Sequence, residues 1–219
     1  MPKSEDLTVK SSKSLRRKPA RRQQSQRFLV VVEGVVTEVE YLNALKRSRQ
    51  MRSIDVQIET GHTDPIGIVT AAKTHRRDAM RTDPYDQVWC VFDAEAKVSQ
   101  ACRTGLAHAV QIAIEGRIDV ALSNPCLEIW LLWHLEDQTA WISSETAQRR
   151  CRELQILSEG KHLRNAAELV RLAEAAKHRA VAMDNQHECA RKRKPEDRNP
   201  SSGMYKLVES IHFAFPPRN

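Results

Sequence analysis

Two short, unbroken apolar runs set the frame of this chain. FLVVV at residues 28–32 and the core of YDQVWCVFD at 85–93 are rich in β-branched and aromatic side chains. Both are too short for a typical helix, so each is expected to be a buried strand. IDVQIET at 54–60 alternates apolar and polar positions, as a half-buried strand does, and RIDVALS at 117–123 reads as a fourth strand. Between these runs the pattern changes to a helical period. Thr37 opens a helix reaching about residue 52, with Val39, Leu42, Leu45 and Met51 inward and Glu40 placed as a capping-box partner. Further helices are expected over 65–80, with Pro65 in the first turn, and over 99–115. Residues 126–136 carry so many large apolar side chains that a central packing helix is expected, with Ser123-Asn124-Pro125 as its cap and first turn. Helical patterns continue through 145–157 and 162–183. A loop containing Arg198-Asn199-Pro200-Ser201 then precedes a last short helix ending near Ile211.

Strands alternating with helices imply right-handed crossovers. The expected class is α/β: a mostly parallel sheet flanked by helices, with a helical C-terminal extension. The 219 residues divide into a basic tail over 1–26, expected to stay flexible when unbound, an α/β domain over 27–137, and the extension over 138–219. No internal repeat is present.

That topology gathers acidic residues. Parallel strands point the same way, so the first, third and fourth end on one edge, where ligands sit in open α/β sheets. Glu33 ends the first strand, followed by Gly34, which permits a tight turn. Glu38 lies in the first turn of the following helix. Asp93 and Glu95 follow the third strand, and Ser123, Asn124 and Glu128 follow the fourth. Carboxylates gathered without a counter-charge repel one another and their pKa values rise, and a bound hard cation relieves this. Mg²⁺ prefers oxygen ligands and commonly combines one or two carboxylates with substrate phosphates. A favourable first-turn charge would also account for Glu38 and Glu128, and a solvated position for Glu95. Glu33 and Asp93 end buried runs directly and are the stronger candidates.

Charge adds a polyanionic partner to this picture. The formal net charge is +7 and the pI about 9.3. The excess is concentrated in a tail containing Arg16, Arg17, Lys18, Arg21 and Arg22, and in a second block of Arg191, Lys192, Arg193 and Lys194. Two basic blocks flanking an acidic site favour contact with nucleic-acid phosphates over a merely solubilising role. No apolar stretch approaches the roughly 20 residues that span a bilayer, and no secretory signal is expected. The five cysteines are odd in number, widely spaced and without a CxxC pair, which suits reduced thiols in a cytoplasmic protein and not a zinc site. The P-loop, GxSxG, HExxH and GxGxxG patterns are absent. His134 is expected to be a satisfied core histidine. Trp89, Trp130, Trp133 and Trp141 are expected in the core and not as base-stacking platforms.

The strand followed by Glu33-Gly34, the later Asp93-x-Glu95 and the βα alternation together resemble a Toprim domain, the metal-binding phosphoryl-transfer fold of primases, topoisomerases and several nucleases. The fuller pattern resembles the RloB family. It matches at VVEGVVTEVEYLNALK (31–46), DQVWCVFDAE (86–95), LSNPCLEIWLLWHLED (122–137) and RNPSSGMYKLVESI (198–211), with SNPCLEIWLL the most specific piece. The resemblance implies a Toprim-like protein of bacterial anti-phage defence loci, often encoded beside an ATPase of the ABC or AAA type. It makes Glu33 the general acid/base. Asp93 and Glu95, with Glu33, become ligands of Mg²⁺ or Mn²⁺, although the family more usually has aspartate where Glu95 stands. Glu33, Glu38 and Glu128 are then the candidate catalytic residues. The expected function is Mg²⁺-dependent cleavage of DNA or RNA in concert with that ATPase; the alternative is a catalytically silent nucleic-acid- or protein-binding module. A topoisomerase is a poor match, because Tyr41, Tyr85 and Tyr205 all fall in helix or strand contexts.

Overall fold

The apolar run at 28–32 becomes β1 (Phe28–Val32), buried along its whole length. In the computed structural model, which describes residues 26–48, 54–58, 64–94 and 100–215, β1 lies between two parallel neighbours. These are β2 (Ile54–Ile58) and β3 (Gln87–Asp93). β4 (Asp119–Asn124) continues the sheet parallel to β3. A two-residue strand, β5 (Ser201–Ser202), closes the edge antiparallel to β4, giving the order β2-β1-β3-β4-β5. The class is α/β, as the sequence implies.

Side chains alternate across a strand, so β1 feeds two cores. Phe28, Val30 and Val32 face α1 (Thr37–Ser48), while Leu29 and Val31 face α2 (Pro65–Ala79) and α3 (Gln100–Glu115). The first core extends through α4 (Glu128–Leu132), α5 (Ser144–Glu153), α6 (Ala166–Arg171), α7 (Ala173–Cys189) and α8 (Met204–Ala214). One apolar cluster therefore joins residues of the first half of the chain to Ile142, Cys151, Met183 and Leu207. No helix among the described residues is long and apolar enough to cross a membrane.

Several local expectations are corrected. Residues 126–136 form only the five-residue α4, flanked by turns, in a segment buried from 126 to 134. It therefore lacks the polar face that keeps a surface helix running. Leu135, just beyond it, is exposed. Asn124 is no cap. It ends β4, its amide donates to the carbonyls of Pro195 (3.0 Å) and Glu196 (3.3 Å), and the Asn124–Pro125 peptide is cis. The helical pattern at 162–183 begins only at Ala166 and breaks between α6 and α7 at Leu172. Trp141 is 64% exposed, unlike Trp89, Trp130 and Trp133.

The loop before the last helix is structural. Asn199 holds both backbone groups of Ile142, accepting from its N–H (3.0 Å) and donating to its carbonyl (2.9 Å), and donates also to Asn124 Oδ1 (3.2 Å). Ser123 and Ser202 join through their hydroxyls at 2.9 Å. Gly203 packs so closely on β4 that a Cβ there would lie 3.1 Å from Ala121 Cα. Cys90, Cys126 and Cys151 are buried free thiols, and Cys189 is an exposed one. The tail carrying Arg16, Arg17, Lys18, Arg21 and Arg22 lies outside the described residues, as does Glu95.

Candidate metal and phosphodiester site

The chain leaves β1 toward β2 on one side and returns to β3 on the other, opening a crevice at the C-terminal ends of β1 and β3. Glu33 and Asp93 stand at those two ends. The Glu33 N–H donates to Val91 O (3.3 Å), and the Ala94 N–H donates to Ser123 O (2.8 Å), so the three strand ends are tied together. Glu38 enters from the first turn of α1. Its carboxylate folds back over Gly34 and occupies the place a Cβ would take, with Oε2 1.9 Å from that position. Any side chain at 34 would expel Glu38 from this pose. Glu128, only 4% exposed, enters from α4.

Glu33, Glu38, Asp93 and Glu128 line one cavity of about 370 Å³. The loop from Gly34 to Thr37 lines it too, as do Cys126, Leu127, Ser144, Gln148 and Lys161. Burial raises the pKa of Glu38 above the ordinary carboxylate value; its own backbone N–H opposes the rise, the Glu128 charge adds to it, and Lys161 counters it. The Cys126 thiol is pushed up by burial and by the charges of Glu128 and Asp93. Acids on β3, α1 and α4 thus share one electrostatic environment.

Lys161 belongs to a tight turn between α5 and α6. Leu157 and Leu163 pair across it, the Ser158 N–H donates to His162 O (2.9 Å), and Lys161 itself is left-handed at φ 60°. The first turn of α1 clamps this turn. Thr37 Oγ1 donates to Lys161 O (2.8 Å), while Glu40 accepts from His162 Nδ1 (2.7 Å) and from the Leu163 N–H (2.6 Å). Glu40 is therefore no capping-box partner of Thr37; both side chains are taken by the C-terminal extension. Burial works to raise the Glu40 pKa, but the hydrogen bonds from His162 and Leu163 outweigh it and hold the carboxyl low.

In the turn after α4, His134 is the buried, satisfied histidine the sequence suggests, at 2% exposure. Its Nδ1–H donates to Trp130 O (2.8 Å) and its Nε2 accepts from the Tyr41 hydroxyl (3.1 Å), a tautomer fixed by the carbonyl, which can only accept. This links α1, which carries Glu38, to the turn after α4, which carries Glu128.

The donor set is all hard oxygen, as Mg²⁺ or Mn²⁺ prefers, and Glu33 with Asp93 supplies the one or two carboxylates such an ion commonly takes. Among the described residues, no three His, Cys, Asp or Glu side chains are gathered as a ready-made ligand group. The fit is thus one of donor type and shared cavity. Arg191, Lys192, Arg193 and Lys194 form the turn after α7 and run directly into Pro195 and Glu196, whose carbonyls hold Asn124 at the end of β4. Sequence reasoning missed Ser144, Gln148 and Lys161. They come from the extension, and no pattern in SSETAQ or SEGKHL points toward the strand ends.

A family model described as RloB-like protein matches residues 28–211. No curated protein and no solved structure matches the chain.

Proposed function

Starting from the fact that the chain belongs to the RloB-like family, we propose that it is a Toprim-type, Mg²⁺- or Mn²⁺-dependent nuclease. The observation that supports this most is the convergence of Glu33, Glu38, Asp93 and Glu128 on one cavity at the crevice between β1 and β3. Glu33 and Asp93, joined by Glu95, would hold the cation. When bound, that ion stabilises the attacking and leaving oxygens of a phosphodiester. Glu33 would act as the general acid/base. Glu38, whose burial favours the protonated form, is suited to give a proton to a leaving oxygen. Glu128 reinforces that protonation through its charge.

The basic tail and the Arg191–Lys194 block would contact phosphates along the substrate. The proposal includes a cytoplasmic setting in anti-phage defence and an ABC- or AAA-type ATPase partner that gates cleavage. The purified chain, with and without the neighbouring ATPase, should be incubated with labelled DNA, messenger RNA and tRNA in Mg²⁺ and Mn²⁺. Metal-dependent fragments are expected from the wild type and none from Glu33→Gln. Equal fragments from both, or none under any condition, would contradict the proposal. Glu95, standing where the family more usually has aspartate, favours a second reading, a catalytically silent binding module. That module would retain the nucleic acid without cutting it.

A further inference from the structure

We propose that Lys161 is a phosphate-positioning residue of the carboxylate cavity, held there by a turn built for the purpose. The inference rests on the reading of that cavity as a phosphodiester site. Four carboxylates in one pocket repel a polyanion, so a nucleic-acid backbone can approach only where positive charge offsets them. A divalent ion would supply part of that charge at Glu33 and Asp93. Lys161 lines the same cavity from the opposite side of the chain, and it lowers the pKa of Glu38 by its charge.

Two features separate Lys161 from an ordinary surface lysine. The first is its mount. A non-glycine residue in the left-handed region is disfavoured and persists only where its surroundings enforce it. Here Thr37 holds the Lys161 carbonyl, and Glu40 holds both the imidazole of His162 and the N–H of Leu163. All these clamps come from the first turn of α1, the same turn that delivers Glu38. The position of Lys161 is thereby registered to the acid it faces. The second feature is its unspent charge. Among the described residues the ammonium enters no ion pair, although the cavity it lines is walled by carboxylates. An occluding, autoinhibitory lysine would instead be paired to one of them. An exposed ammonium with three donors, carried on an anchored backbone, suits a phosphodiester oxygen, to which lysine binds as a point charge.

The test uses the full chain and two probes, a single-stranded oligodeoxynucleotide and an oligoribonucleotide of the same sequence, with Ca²⁺ in place of Mg²⁺. Affinity is measured across a salt series for wild type, Lys161→Gln and Lys161→Arg. Lys161→Gln is expected to weaken binding on the order of tenfold, the size of one charge-assisted hydrogen bond. It should also lower the magnitude of the salt slope by about 0.7, one single-strand phosphate contact. Lys161→Arg should restore the slope, and all three should melt together. An unchanged affinity and slope in Lys161→Gln with both probes would overturn the assignment. The same samples assayed for cleavage in Mg²⁺, with and without the neighbouring ATPase, separate the two claims. Cleavage with an unchanged slope removes Lys161 and leaves the nuclease. A Lys161-dependent slope without cleavage removes the nuclease and leaves Lys161 as a phosphate contact.

Discussion

Lowering the pH from 7 to about 5 should destabilise the fold by roughly 2 kcal/mol through a single residue, His134. Burial lowers its pKa from 6.5 to about 4; the backbone hydrogen bonds at Trp130 and Leu131 oppose that shift and the Arg179 charge adds to it. The ring lies between Trp130 O and the Tyr41 hydroxyl, so a second proton would place an imidazolium charge in the buried core. The folded pKa is depressed, so the unfolded chain takes up the proton first. Stability is complete above the unfolded value of 6.5, falls with pH, and stops falling below about 4. At about 1.4 kcal/mol per pH unit, the full loss through this group is roughly 3 kcal/mol. Urea titrations of the wild type and His134→Gln at pH 7 and pH 5 isolate the effect, because the remaining titratable groups, the other histidines included, titrate alike in both proteins. The variant should be less stable at pH 7 but should lose about 2 kcal/mol less between the two pH values. Equal losses would refute the reasoning.

Leu131, fully buried, should cost about 2–5 kcal/mol when cut to alanine, and a loss below about 1 kcal/mol in denaturant titration would mean the α4 core is misdescribed. Glu38→Gln should raise the melting temperature without divalent metal at pH 7 to 8. The folded pKa of Glu38 is raised, so its ionised form is the disfavoured one, and the gain should shrink in acid, where Glu38 is protonated anyway. Melting curves across pH check both the sign and the trend. Gly203→Ala should destabilise by about 1–3 kcal/mol, because the new methyl meets β4 backbone and not a movable side chain. A neutral result in calorimetry would mean that β5 can shift away from β4 without loss.

The sheet was legible because its strands carry their own signal. FLVVV and VWCVFD are apolar, β-branched and short, and the parallel βα order places Glu33 and Asp93 on one edge before any coordinate is known. Glu38 and Glu128 followed by the same topological argument, and both line the cavity. What the chain concealed is tertiary. Thr37 and Glu40 fit a capping box locally, yet their partners are Lys161, His162 and Leu163, more than 120 residues away. Ser201 and Ser202 have no strand character of their own and become β5 only because Ser123 and Gly203 let them lie on β4. The largely apolar stretch at 126–133 is buried on every side and gives no period, so its short helix could not be told from a long one. Trp141 illustrates the opposite error, a large apolar residue left on the surface with no local sign of it.

The central claim is that Glu33 and Asp93 form the cation-binding pair of a phosphodiester site. Calorimetric titration of Mn²⁺ into the wild type and Asp93→Asn, with melting temperatures recorded alongside, tests it most directly. The wild type should bind the ion and melt higher in its presence. Asp93→Asn should keep the fold while losing both the binding heat and the shift. Binding heat and metal-induced stabilisation identical in the two proteins would place the cation elsewhere and contradict the account.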